Sequence, residues 1–281
     1  MPVRLAAVFA LTVAAVASAG PADGPFQTPP AWKARFAGVE VTELAATAPR
    51  PMKGLAVRID LTAPGIEFLA TPDNGDREGE TDGLKTSTFL KEHKLQLAIN
   101  AAPFAPIHKD ERLKQDVVGL HVSRGKVVSG EQGKLPALLL TKDNKARVAS
   151  PRFDLAGVWN AVGGFHVVLK GGQVIEGDKS IHPRTAAGVS ADGRTLVWLV
   201  IDGRQKNYSD GATTADVGAW LKALGCEEGI NLDGGGTTTL VVEGLDGMPR
   251  VLNRPIHANK AGAERVSASH LGLYARPLTA K

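Results

Sequence analysis

Residues 195–239 read TLVWLVIDGRQKNYSDGATTADVGAWLKALGCEEGINLDGGGTTT. The opening Thr195–Ile201 is apolar and rich in β-branched residues, the mark of a buried strand. Thr213 or Thr214 caps a second segment, Asp216 sits in its first turn, and Gly225 ends it. Between cap and end, Val217, Trp220, Leu221 and Leu224 recur at i, i+3, i+4 and i+7, so the segment is a helix whose apolar stripe must pack on a sheet. Gly229–Leu232 then reads as a strand leaving the helix. The order strand, helix, strand fits a crossover unit.

Working outward, four pairs of short apolar runs flank tight turns. Arg124-Gly125, Asp143-Asn144, Gly171-Gly172 and Asp192-Gly193 each separate two strand-like segments. Such turns need positive φ, which Gly and Asn adopt cheaply, and they match the twist of antiparallel strands. A second helix is expected over Thr86–His93, with Phe89 and Leu90 inward. These signals predict an α+β fold: one domain with a large mixed or antiparallel sheet, repeated hairpins and few packing helices.

The 281 residues suffice for a core without disulfides, and the balance of 43% apolar and 22% charged residues is that of a soluble globular chain. Arg4, the apolar run Leu5–Val16 and Ala17-Ser18-Ala19 read as a signal peptide over residues 1–19. The run is too short for a membrane span, so export to the periplasm or medium is expected, with no stable span after cleavage. Residues 20–50 form a Pro-rich lead-in, and 51–278 the domain. The net charge is +4, or +3 once Arg4 is removed, without a basic run, so nothing argues for nucleic acid. Cys226 stands alone and reads as a small buried residue. The seven histidines lack zinc spacing, and neither a G-x-S-x-G nor a P-loop motif occurs.

Chemistry concentrates in Asn231-Leu232-Asp233-Gly234-Gly235-Gly236-Thr237-Thr238-Thr239. A strand delivers Asn231 and Asp233 to its end. Three glycines then form either an ordinary loop or an anion-binding nest, with Thr237 and Thr238 as further donors. Three other segments stand beside it: Arg184-Thr185-Ala186-Ala187-Gly188, whose arginine could present its fork to a phosphate; Asp202-Gly203-Arg204 at a strand end; and Asn100 at the end of an apolar strand. His166 and His182 fall near these segments and read as polar or core contacts.

In this order the segments resemble the phosphodiester glycosidase family. Its pattern runs R-T-A-x-G, a hairpin, D-G-x, an amphipathic helix, then N-L-D-G-G-G-[ST]-[ST]-T. Gly163-Gly164 resembles a further family glycine pair, and Arg265-Val266-Ser267 the closing element. The family's N-G-G-[FY]-F loop is matched only at Asn100 and Phe104, with Ala101, Ala102 and Pro103 between them. The likeness spans about residues 55–276. It implies a hydrolase acting on sugar-1-phosphodiesters, such as α-linked N-acetylglucosamine-1-phosphodiesters of phosphorylated glycans, with the matched residues converging at one cleft. Under that resemblance Arg184 and Arg265 hold the phosphate with the Gly234–Gly236 amides, Asp233 and Asp202 act as base and acid, and Asn100 and Asn231 bind sugar hydroxyls or orient the carboxylates. Gly164 completes the substrate-facing set. No cofactor is required, and a divalent metal at Asp202 and Asp233 is left open. The alternatives are a non-catalytic phosphoglycan-binding envelope module and a metal-dependent phosphodiesterase.

Overall fold

A computed structural model describes residues 24–278. The expected signal peptide over residues 1–19 therefore lies outside the described residues. The α+β expectation is overturned: the chain is mostly β, with 42% of residues in strands and 8% in helices, arranged as several sheets. The reason lies in packing. Only two segments carry a helical apolar stripe, and the other apolar runs, several of them continuous and buried on both faces, pair with one another as strands. Among the described residues every strand pair is antiparallel, and all four expected hairpins are present.

The largest sheet has eight strands. In spatial order they are Lys33–Phe36, Val39–Ala46, Met52–Asp60, Thr195–Ile201, Arg184–Ser190, Cys226–Asn231, His166–Lys170 and Gln173–Val174. Its first two strands come from the segment expected to be a lead-in. A five-stranded sheet contains Leu97–Asn100 between Leu240–Glu243 and His270–Tyr274. Another is built around Val158–Gly163 and Ala137–Thr141.

Alternation along Thr195–Ile201 shows where the core sits. Leu196, Trp198 and Val200 face one cluster with Ile99, Leu240, Leu271, Leu138 and Val162 from the two smaller sheets. Val197, Leu199 and Ile201 face the other, with Val217, Trp220 and Leu221. The large sheet is therefore buried on both sides: smaller sheets cover one, and helix α2 (Thr214–Ala223) covers the other. Phe26 completes that second layer, its ring 5.1 Å from Trp220 in an edge-on contact. Helix α1 (Thr86–His93) buries Phe89 and Leu90 on the sheet that holds Asn100.

Helix α2 begins with a full capping box, Thr213 accepting from the Asp216 amide and Asp216 accepting from the Thr213 amide. Gly225, at φ +89°, takes the chain out of it. The strands before and after the helix both pair with Arg184–Ser190, and so run parallel to each other across it. This is the expected crossover. Its register sets Ile201 opposite Arg184, and Asn231 opposite Ala186 and His166. Two strand C-termini and two strand N-termini thus meet at one end of the sheet, and the chemistry-bearing segments leave the strands there.

Candidate active site

A cleft of about 350 Å³ opens at that end of the sheet. Phe165, His166, Asp178, His182, Arg184, Arg204, Asn231, Asp233, Gly234, Gly235 and Arg265 line it, with Pro183. Sequence reasoning placed Arg184, Asn231, Asp233, Gly234, Gly235 and Arg265 in one site, and the fold brings these six together.

The loop that carries Asp233 is held from behind by Asn100, which is fully buried. Asn100 Nδ2 donates to the Asp233 carbonyl at 2.8 Å and reaches Thr237 Oγ1 at 3.3 Å. Its Oδ1 accepts from Thr185 Oγ1 at 2.7 Å and from the Thr239 amide at 3.1 Å. The Asp233 amide donates to Ala101 O at 2.8 Å. Asn100 therefore spends its polar atoms on the loop and does not line the cleft. Thr237 Oγ1 lies 2.7 Å from Asp233 Oδ2 and orients that carboxyl. Thr238 is buried, its carbonyl accepting from Asn253 at 3.0 Å. Gly164 packs under Asn231 and donates to Pro136 O at 2.8 Å.

Burial pushes the Asp233 carboxyl up to about 6, against the opposing pull of Thr237, the Gly234 amide and the Arg265 charge. A carboxyl balanced near neutral pH in a cleft is what proton transfer needs. Asn231, 1% exposed, donates to Leu232 O at 2.8 Å, and its Oδ1 has no partner among the described residues. That acceptor is an unpartnered buried polar atom at the cleft wall.

Three arginines line the cleft with this carboxyl, and the charge of Arg265 acts on it directly. Arg184 Nε donates to Ala212 O, and its Nη2 donates to Asp178 and to Ser180 O. In return Arg184 holds the Asp178 carboxyl far below the usual carboxylate range. Arg204 and Arg265 lie against the glycine run. A Cβ on Gly235, which has φ +65°, would sit 3.3 Å from the Arg204 guanidinium. One on Gly236 would sit 2.5 Å from that of Arg265. The glycines thus let two arginines rest on bare backbone. They do not form a three-amide nest: the Gly235 amide donates to Pro183 O and the Gly234 amide serves the Asp233 carboxyl. Burial, then the charges of Arg265 and Arg184, lowers the proton affinity of Arg204. Three guanidiniums against two carboxylates make an electropositive cleft.

The close approach at Gly236 carries a prediction. In Gly236→Ala the new methyl meets the movable end of Arg265. We expect Tm to change by less than about 3 °C, roughly 1 kcal/mol, while KM for a phosphodiester rises about tenfold. An unchanged KM in a folded variant would show that Arg265 need not lie there.

Asp202 is not at this cleft. It is 2% exposed, and burial raises its pKa. Asn253 Nδ2 at 2.8 Å, the Arg254 amide at 3.0 and 3.1 Å, and Tyr208 OH at 3.0 Å all donate to its carboxylate. It borders a separate depression with Lys53 and Tyr208, where it ties the residues after Leu252 to the sheet. Asp202 and Asp233 therefore do not share a site, and among the described residues no group of three His, Cys, Asp or Glu side chains could hold a metal ion. Sequence reasoning missed Arg204, Asp178 and Phe165. The available signal for Arg204 was its place directly after Asp202-Gly203, where it adopts φ +57°.

A β-rich fold with an arginine-lined cleft around one raised carboxyl defines a class of protein built to handle an anionic ligand. The chain belongs to the phosphodiester glycosidase family, which it matches over residues 93–274. Among solved structures it is similar to the catalytic domain of zebrafish N-acetylglucosamine-1-phosphodiester alpha-N-acetylglucosaminidase, auto-inhibited by its pro-peptide. The TM-score is 0.63 at 20% identity, covering 90% of this chain and 86% of that one. It is also similar to a hypothetical protein from Synechocystis (TM-score 0.58, 13% identity, 85% and 62% covered). A putative exported protein from Burkholderia pseudomallei has the same score at 16% identity, with 82% and 75% covered. These likenesses show a shared fold. An uncharacterized SPbeta prophage-derived protein of Bacillus subtilis, YomE, is 43% identical over 63 residues, 22% of this chain and 10% of that protein. The chain thus spans about a tenth of that relative's length.

Proposed function

We propose that this chain hydrolyses sugar-1-phosphodiesters, releasing the sugar and a phosphomonoester, with Asp233 as general base. The observation that carries the reading is the raised Asp233 carboxyl in one cleft with Arg184, Arg204 and Arg265. A glycosidase-like hydrolase follows from the family; the substrate, an α-linked N-acetylglucosamine-1-phosphodiester or a related glycan linkage, is our proposal. Arg184, Arg204 and Arg265 hold the phosphate and the charge that grows on it, and the unpartnered Asn231 Oδ1 accepts from a sugar hydroxyl. A phosphate is a good leaving group at neutral pH, so one base that takes a proton from water suffices. A pure phosphoglycan binder gains nothing from a carboxyl that repels its ligand when ionised, which favours the enzyme over the binding module.

Export belongs to the same proposal. Its support is the apolar run at residues 5–16 with Ala17-Ser18-Ala19 after it. No helix among the described residues is long and apolar enough to cross a membrane.

The test is release of N-acetylglucosamine from an α-N-acetylglucosamine-1-phosphodiester by the purified chain. Silence across a panel of sugar-1-phosphodiesters would sink the hydrolase reading.

A further inference from the structure

Arg204 and Arg265 share an arrangement that Arg184 lacks. Arg184 is paired with a carboxylate, Asp178, at 2.9 Å. Among the described residues Arg204 and Arg265 form no salt bridge. Each instead meets an imidazole: Arg204 Nη2 lies 3.2 Å from His182 Nδ1, and Arg265 Nε donates to His257 Nδ1 at 3.2 Å.

The chemistry of the pair settles the tautomer. A guanidinium has donors only, so each Nδ1 must carry its lone pair, and the ring proton sits on Nε2. The imidazoles are therefore neutral in these contacts. Burial together with the adjacent guanidiniums, Arg204 and Arg184 for His182 and Arg265 for His257, opposes protonation; Asp178 and the Ile181 backbone favour it at His182.

A neutral acceptor fixes the direction of a guanidinium without cancelling its charge. A carboxylate there would do both, as Asp178 does for Arg184. The two contacts also join separate segments. His182 is anchored by its backbone to Ala212, while Arg204 follows the strand Thr195–Ile201. His257 lies in the short strand Ile256–His257, and Arg265 beyond its hairpin. Without these acceptors, two long side chains would be free to leave the glycine backbone for solvent.

We infer that His182 and His257 are positioning residues, each holding one arginine over the glycine run with its full charge available to a substrate phosphodiester. The inference rests on the anion-binding reading of the cleft and adds the means by which the cations stay unneutralised.

Asparagine separates this role from the alternatives, because its Oδ1 occupies the branch position of Nδ1 and accepts, yet cannot take a proton at neutral pH. The probe is the methyl phosphodiester of α-N-acetylglucosamine 1-phosphate, titrated calorimetrically at pH 7.5 into full-length Asp233→Asn protein so that turnover does not intervene. His182→Ala and His257→Ala are each expected to raise Kd about tenfold, in line with loss of one oriented charge-assisted hydrogen bond. His182→Asn and His257→Asn should stay within about threefold of the parent. With Asp233 intact, the alanine variants should lower kcat/KM about tenfold or more, and the asparagine variants should hold it within about threefold of the parent. The inference falls if the alanine variants bind as the parent does, if asparagine is as damaging as alanine, or if the parent does not bind the diester. Hydrolysis is read separately. Its absence with Asp233 intact removes the glycosidase reading, and the binding comparison still decides the role of the two histidines.

Discussion

Asp233→Asn should lower kcat for sugar-1-phosphodiester hydrolysis by about a thousandfold, the scale of a lost general base, without unfolding the protein. The amide keeps the size of the side chain and can still accept from Thr237, 2.7 Å away, but it takes no proton from water. In the wild type, kcat/KM should fall as pH drops through about 6, because the base must be ionised and burial holds its pKa there. A bound diester stays singly negative across that range and disfavours a second negative charge beside it. The acid limb of kcat should therefore lie at a higher pH than that of kcat/KM. Activity that instead falls as pH rises above 6 would make Asp233 the acid, and an active Asp233→Asn protein would remove it from the mechanism.

Stability should move the other way. A carboxyl whose folded pKa is raised to about 6 from 3.8 binds its proton more tightly in the native state. It makes folding less favourable above pH 6, and the deficit disappears as pH falls toward 3.8. Asp233→Asn should therefore be more stable than wild type at pH 7.5, on the order of 1 kcal/mol, and lose that advantage at pH 4. Urea unfolding at the two pH values checks the sign. A gain in stability beside a loss of turnover is the signature of a functional carboxyl held in an unfavourable place.

How much of this is legible in the sequence differs by level. The four hairpins and both helices are readable because their signals are local: Asn144 and Gly193 occupy left-handed turns, and Thr213 and Asp216 cap a helix within four residues. The fold class is not. Whether Leu97–Asn100 pairs with Leu240–Glu243 and His270–Tyr274, and so makes a separate sheet, depends on partners more than a hundred residues away. No local period encodes that choice. The site divides in the same way. Strand ends at Arg184, Asn231 and Asp233 are visible as polar residues closing apolar runs, and register brings them together. The side-chain direction of such a residue is not visible. Asp202 and Asp233 both follow a strand by one or two positions. One is enclosed by Asn253, Arg254 and Tyr208, and the other opens on the cleft.

Asn100 makes the sharpest case, and Asn100→Ala should be the most damaging change to the fold near the site. The substitution would leave the Thr185 hydroxyl, the Thr239 amide and the Asp233 carbonyl without their partner in a fully buried place. It would also open a small cavity. Together these should cost about 3–5 kcal/mol, lowering Tm by roughly 6–15 °C for a chain of this size. Asn100→Asp should not rescue it, because it keeps the acceptor for Thr185 and Thr239 but sets a second oxygen against the Asp233 carbonyl. In the fraction that still folds, kcat should fall, because the backbone of Asp233 is what Asn100 holds. The opposite pattern, an undisturbed Tm with KM raised and kcat kept, would mean that Asn100 meets the sugar. The asparagine would then belong to substrate recognition, as the strand-end motif implied, and the contacts to Asp233 and Thr239 would be incidental to the loop's position.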